Sequence, residues 1–139
     1  MRFLDNLAPY VHWLLRIALA SVFLYHGLGK FPQLPQLAQM MQLPVFIVLL
    51  VALAETVGSI LILVGGFWKD WMTRLGALMQ IPVMLGAIFM VHWGQWSMIP
   101  SQSHPMGGIE FQVVLLVIQL YFVIRGNNVK VGKAAPATA

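Results

Sequence analysis

The sequence predicts an all-α membrane protein in which four helices form an antiparallel, up-down-up-down bundle. Of its 139 residues, 60% are hydrophobic and only 9% are charged, whereas soluble domains average about 45–50% and about 25%. Four long apolar runs cover residues 8–29, 44–66, 72–93 and 108–125. Each run approaches or exceeds the ~20 residues that a helix needs to cross ~30 Å of hydrocarbon.

The first two runs have recognisable ends. The first closes at residues 27–30, and it is too long for a signal-peptide core and lacks a small-residue cleavage site, so we expect a retained span. A loop rich in Pro and Gln occupies residues 31–42. Pro44 suits the first turn of the second span, where its missing N–H costs nothing. Gly65 and Gly66 close that span.

The second half of the chain is organised in the same way. A tight turn at 67–71 makes the second and third spans antiparallel neighbours, and Pro82 predicts a kink within the third span. Residues 93–108 are the longest irregular segment. We therefore predict one transmembrane domain, 1–126, followed by a polar, flexible cytoplasmic tail, 127–139.

The charges of the short connections predict the orientation. With four spans, the N-terminus, the 67–71 turn and the C-terminus share one side of the membrane. That side carries Arg2, Lys69, Arg74, Arg125, Lys130 and Lys133, whereas the other carries only Lys30. An excess of Lys and Arg marks the cytoplasmic side, so we expect both termini in the cytoplasm.

Composition also excludes several functions. The chain has no cysteine, which removes thiol–disulfide exchange and thiolate metal sites as chemistry it can do alone. It has no basic stripe outside the membrane flanks, so we expect no nucleic-acid partner. Because the connections are short, a reaction would need side chains of the bundle, a bound cofactor or a partner chain.

Buried polar residues are predicted to meet at one depth. Counting from the span ends places Arg16 ~12 Å from the inner face and Glu55 ~13 Å from it, with Gln80 and Gln119 within ~3 Å of that level. One interpretation is an Arg16–Glu55 ion pair, completed by the glutamines, that locks the bundle. The other is a polar cavity for a quinone head group, or a proton path.

A second polar layer is predicted near the outer face. It contains His26, Lys30, His92, His104 and Glu110. A neutral His beside a carboxylate can bind a proton, a metal ion or a quinone oxygen. The alternative is that these side chains lie at the interface and reach water. His26 with His92 is the sole plausible haem pair, a weak pattern, and the spacing of a zinc site is missing.

Small residues form further patterns on the predicted helices. Gly27 and Gly29 lie on the first, Gly58 on the second, and Gly76 and Gly86 on the third. Small residues let helix backbones approach closely, so these faces predict packing within the bundle, with a partner chain or with a second copy.

The chain resembles the DoxX family of small four-helix membrane proteins over nearly its whole length. The resemblance rests on Arg16, the run 23–30, the runs 54–58 and 61–66, and His92 with Glu110. It implies a bacterial or archaeal inner-membrane protein, grouped with a subunit of thiosulfate:quinone oxidoreductase, that works beside redox partners. The stretch after the fourth helix departs from the family pattern.

Two functional hypotheses remain open. In the first, the chain is a membrane subunit of a quinone-linked redox complex. His92, Glu110 and His26 are then the candidate catalytic residues, and Arg16, Glu55 and Lys30 the candidate cofactor-binding residues. In the second, it is a non-catalytic accessory subunit that packs against a larger membrane complex or anchors a peripheral redox protein.

Overall fold

The computed structural model describes residues 2–128, and this part of the chain contains helices and loops but no strand. Six α-helices follow one another: α1 (Arg2–Leu7), α2 (His12–Lys30), α3 (Leu34–Met41), α4 (Val45–Phe67), α5 (Asp70–Gly86) and α6 (Glu110–Arg125). A π-helix, Ala87–His92, continues α5. Short 3₁₀ turns at Ala8–Tyr10 and Phe31–Gln33 connect the first three helices.

Within residues 2–128, three stretches are long and apolar enough to cross a membrane. They are His12–Met41, Val45–Phe67 and Asp70–His92. The first predicted span, 8–29, therefore begins too early, because Pro9 lies in the 3₁₀ turn and proline disfavours helix in the residue before it. Helix α6 has 16 residues, or ~24 Å, so the fourth crossing and the four-span bundle stay predictions.

Helix α4 lies between α2 and α5, and α5 packs in turn against α6. Glycines bring these helices close together. A methyl group on Gly58 would lie 2.8 Å from the carbonyl oxygen of Gly76, and one on Gly27 would lie 2.5 Å from Thr56 Oγ1. The small-residue faces at these positions thus serve packing within the chain. The apolar core comprises Leu19, Phe23, Ile62, Ala77, Met84, Ile88, Leu115 and Phe122.

The two ends of the helix assembly differ in character. At one end, the backbone N–H of Asn127 donates to Asp70, which brings the end of α6 to the α4–α5 turn. Arg16, near the start of α2, donates to Asn127 at the same place. We call this the Arg16 end. The opposite end, which we call the cavity end, holds Lys30, the π-helix and the loop 93–109.

Connections are tighter than predicted. The turn between α4 and α5 is only Trp68 and Lys69, since the helices run to Phe67 and from Asp70. Helix α5 continues through Pro82 and changes to π-helix at Ala87. Pro82 has no N–H to donate to the preceding turn, and the irregular helix geometry follows one turn later.

Candidate functional site

A cavity of about 580 Å³ lies at the cavity end, between α2, α4, α5 and α6. Most of its wall is apolar, supplied by Val, Leu, Ile, Phe and five Met side chains. The polar side chains on its wall are His26, Lys30, Glu55, His92 and Gln112. The volume is that of a site for a drug-sized organic molecule, and such sites combine apolar walls with a few polar groups.

Lys30 and Glu55 form an ion pair on the cavity wall. Lys30 Nζ lies 2.6 Å from Glu55 Oε2, and the two side chains are 19% and 6% exposed. Lys30 Nζ also donates to the carbonyl oxygen of His26 at 3.3 Å. Glu55 lies ~15 Å from the start of α4, so Lys30, at the end of α2, extends inward to reach it.

The sequence explains why the pair forms. Gly27 lets α2 approach α4, since a methyl group there would lie 2.9 Å from Glu55 Cβ. Lys30 is three residues after Gly27 and therefore lies on the same face of the helix. The turn of α4 that carries Glu55 is held by Ser59, which donates to the Glu55 carbonyl oxygen at 2.7 Å. Gln80 Nε2 then donates to Ser59 Oγ at 2.9 Å.

His92 and Glu110 both hold the loop 93–109, but only His92 also lines the cavity. His92 Nδ1 lies 3.0 Å from the carbonyl oxygen of Gly107. A carbonyl oxygen only accepts, so Nδ1 carries the proton and Nε2 is the basic nitrogen. Glu110 Oε2 accepts from the N–H of Met98 at 3.2 Å. The structure therefore gives Glu110 a contact with the loop and places it outside the cavity wall.

Arg16 lies at the other end of the bundle and does not pair with Glu55, so the predicted Arg16–Glu55 ion pair is wrong. Its side chain is fully buried. It donates to the Ile62 carbonyl oxygen at 2.5 Å, to Thr73 Oγ1 at 2.8 Å and to Asn127 Oδ1 at 2.7 Å. His12 Nδ1 accepts from Arg16 Nε at 2.9 Å.

The predicted common depth is wrong because Arg16 and Glu55 each lie about one helical turn from the predicted level, in opposite directions. Arg16 is only four residues from the start of α2, or ~6 Å, whereas Glu55 is twelve residues from the end of α4, or ~18 Å. Gln80 does lie at the level of Glu55, as predicted, because it donates to Ser59. Gln119 is fully buried, and its amide group has no hydrogen-bond partner within residues 2–128.

The partners of Arg16, above all Asn127, are not among the residues predicted from the sequence. Asn127, predicted to begin the flexible tail, donates from Nδ2 to the Gly65 carbonyl oxygen at 2.7 Å and from its N–H to Asp70 at 2.6 Å. Gly126 before it has φ 56° and ψ −127°, a backbone conformation that favours glycine. A glycine followed by a polar residue was the available signal. The rest of the predicted tail, 129–139, lies outside the described residues.

The described chain, residues 2–128, contains no group of three His, Asp or Glu side chains arranged to hold a metal ion. The model of the DoxX family matches residues 11–93, from the start of α2 to the end of the π-helix. The match covers more than half of the chain and includes four of the five polar residues of the cavity wall. No curated protein and no solved structure matches the chain.

Proposed function

The chain belongs to the DoxX family, and from this premise we propose that it is a membrane subunit of a quinone-linked redox complex whose site is the cavity beside Lys30 and Glu55. The observation that carries the proposal is a buried ion pair on the wall of an otherwise apolar cavity. A charged pair is costly to bury, and in membrane spans such residues serve function more often than stability.

The residues of the cavity fit a quinone. A quinone supplies two-electron, two-proton redox chemistry when it is bound. Lys30 has three N–H donors, and its bonds to Glu55 and the His26 carbonyl oxygen use two of them, which leaves one for a ligand oxygen. The Glu55 carboxyl group can hold a proton, and the His92 Nε2 is a second base on the same wall. The apolar remainder of the wall suits a ring and its alkyl substituents.

This assignment changes the role of two predicted residues. Arg16 lies outside the cavity, so we propose that it stabilises the bundle rather than binds the cofactor. Glu110 orients the loop that His92 also contacts, so we propose a positioning role for it. We propose that a partner subunit supplies the electrons, and any thiol donor would belong to that subunit because the chain contains no cysteine.

We further propose that the protein lies in a bacterial inner membrane with both ends of the chain in the cytoplasm. The Arg16 end carries Lys69, Arg74 and Arg125, and the predicted basic residues Lys130 and Lys133 lie outside the described residues. Lys30, the one cation predicted for the other side, is paired with Glu55. The excess of Lys and Arg at the Arg16 end supports the cytoplasmic assignment of that end.

Removing the ion pair in two ways separates binding from stability. Lys30→Met leaves Glu55 buried without its partner, so we expect a loss of about 3–5 kcal/mol of stability. Lys30→Met with Glu55→Gln removes both charges at similar volume, so most of that stability returns. Both variants are expected to lose quinone binding by about tenfold or more, measured as quinone per protein after reconstitution in lipid nanodiscs.

The double variant is the decisive one. Wild-type quinone binding by a folded double variant would show that the pair is not the head-group site. If the wild-type protein instead purifies with a large membrane complex but without quinone, and the double variant assembles normally, the accessory-subunit hypothesis is the better description.

A further inference from the structure

We propose that the cavity is entered sideways from the hydrocarbon of the membrane, between α4 and α5, with Gly86 at the entrance. The inference rests on the proposed function and narrows the ligand to a class. The ligand is a ring compound with oxygen atoms at one end and a long apolar chain that passes between the two helices into the bilayer.

The first line of evidence is the way α4 and α5 separate along their length. Near the Arg16 end their backbones touch, since a methyl group on Gly65 would lie 2.6 Å from Thr73 N and one on Gly76 would lie 2.9 Å from Leu61 Cβ. The last of these contacts joins Gly58 and Gln80. From about this level toward the cavity end, residues of both helices line the cavity instead, beginning at Glu55 on α4 and at Met79 on α5.

The second line of evidence is exposure at membrane depth. Leu50 and Pro82 both line the cavity and are both exposed. Leu50 lies five residues from the start of α4, or ~8 Å, and Pro82 lies ten residues from the end of the π-helix, or ~15 Å. At these depths an exposed side chain meets lipid chains rather than water. The rim of the cavity on this side therefore opens into the membrane.

The third line of evidence is Gly86. A glycine inside a helix is less favourable than alanine, and Gly58 and Gly76 are explained by the close contact of α4 with α5. Gly86 has no such explanation, because a methyl group built on it would have no neighbour within 4 Å in residues 2–128 apart from its adjacent residues and the backbone of its own helix. It lines the cavity and lies four residues after Pro82, on the same face of α5. Its missing side chain keeps the gap between the helices clear.

The polar and apolar parts of the cavity set the orientation of the ligand. The ion pair Lys30–Glu55 is the buried polar end, and the side between α4 and α5 is rimmed by Ile47, Leu50, Pro82 and Met90. Oxygen atoms therefore bind at the pair and the apolar chain leaves past Gly86. A water-soluble ligand without an apolar chain would not need the apolar passage between α4 and α5.

Gly86→Phe tests the entrance, and Gly29→Phe is its matched control. Both glycines have open space around an added side chain, and Gly29 is not on the cavity wall. The ligands are a benzoquinone with a long isoprenoid chain and the same ring without the chain. Native mass spectrometry of the protein released from nanodiscs measures the bound fraction of each quinone and of phospholipid.

We expect Gly86→Phe to lower the occupancy of the long-chain quinone by about tenfold and to change that of the chain-free ring by less than about twofold. Gly29→Phe should match the wild-type protein for both. Unchanged long-chain occupancy in Gly86→Phe would overturn the inference, and so would an equal loss of both ligands, which would place Gly86 in the head-group site.

The proposed function can fail separately. If the wild-type protein binds neither quinone but retains a phospholipid that Gly86→Phe displaces, the entrance is correct and the quinone assignment is wrong. If it binds neither quinone and Gly86→Phe displaces no lipid, both proposals are wrong.

Discussion

At the scale of single residues, the most demanding feature is a guanidinium group that is buried without a carboxylate. Arg16 is fully buried and donates to two neutral side chains, a histidine nitrogen and a carbonyl oxygen. Its Cζ also lies 4.8 Å from the centre of the Phe122 ring. It sits beside the C-terminal ends of α4 and α6, where the helix dipoles favour positive charge. Helix ends and ring faces together replace the missing counter-ion.

Replacing Arg16 should therefore destabilise the protein more than replacing an exposed arginine. Arg16→Ala leaves several buried acceptors without a donor, so we expect a loss of about 3–5 kcal/mol. Arg16→Lys keeps the charge but lacks the planar fork that reaches four acceptors at once, so its loss should be intermediate. Thermal unfolding in detergent measures both, and Arg125→Ala, at an exposed position, is the control.

Equal stability of Arg16→Ala and Arg125→Ala would show that the hydrogen bonds of Arg16 contribute nothing to folding. Quinone binding provides a second readout, since Arg16 lies outside the cavity wall. At a temperature where Arg16→Lys is folded, its quinone occupancy should equal that of the wild-type protein.

At the scale of elements, the packing of α6 against the other helices depends on a few polar contacts at its C-terminal end. It has few contacts with α2, and a helix of 16 residues has limited surface to bury. Asn127 compensates by binding α2 through Arg16, α4 through the Gly65 carbonyl oxygen and α5 through Thr73 and Asp70. Arg74 adds bonds to the Val123 and Ile124 carbonyl oxygens, at 2.7 and 2.9 Å, which cap α6.

Asn127→Ala should consequently loosen α6, whereas Asn128→Ala should not. Asn127 is partly buried within the network and Asn128 is exposed, although the two differ by one position. We expect a loss of about 3 kcal/mol for Asn127→Ala, since buried bonds to a charged group are worth ~1.5–3 kcal/mol and orphaned acceptors add to the cost. Limited trypsin digestion at Arg125 measures the loosening, and equal cleavage rates in both variants would contradict it.

The helix boundaries show which parts of the fold can be predicted from the sequence and which cannot. Apolar runs placed α4 and α5 within a few residues, because hydropathy over ~20 residues is a strong signal. The same runs misplaced the start of α2, and with it the depth of Arg16, because Pro9 separates α1 from α2 without interrupting the apolar pattern. That error, together with a similar one in the depth of Glu55, pairs Arg16 with a carboxylate that lies about 12 Å away along the helices.

At the scale of the whole molecule, the predicted polar residues divide into two groups about 12 Å apart along the helices. His26, Lys30, Glu55 and His92 lie together on the cavity wall, as a site near one face requires. Arg16 belongs to the network at the other end. The partners Thr73 and Asn127 come from distant parts of the chain, and periodicity within a single helix carries no information about such contacts.

The topology is the property of the whole molecule that most needs a test, because α6 is short for a membrane span. Its length of ~24 Å falls below the ~30 Å of hydrocarbon. However, the bond between Asn127 and Asp70 places the end of α6 beside the α4–α5 turn, and α6 begins beside the loop at the cavity end, where Glu110 binds Met98. Helix α6 therefore runs alongside α5 from one end to the other. If α5 crosses the membrane, α6 crosses it too, so we expect four spans.

Single cysteines on the cysteine-free chain test this expectation directly. Ser101→Cys, Lys69→Cys and Asn128→Cys each place one thiol at an exposed position, in the loop 93–109, in the α4–α5 turn and just after α6. In intact cells, a membrane-impermeant maleimide should label only Ser101→Cys, and all three should react after permeabilisation. Labelling of Asn128→Cys together with Ser101→Cys in intact cells would mean that α6 does not cross. Because Asn127 would then be on the opposite side from Asp70, that result would also exclude the Arg16 network in the membrane.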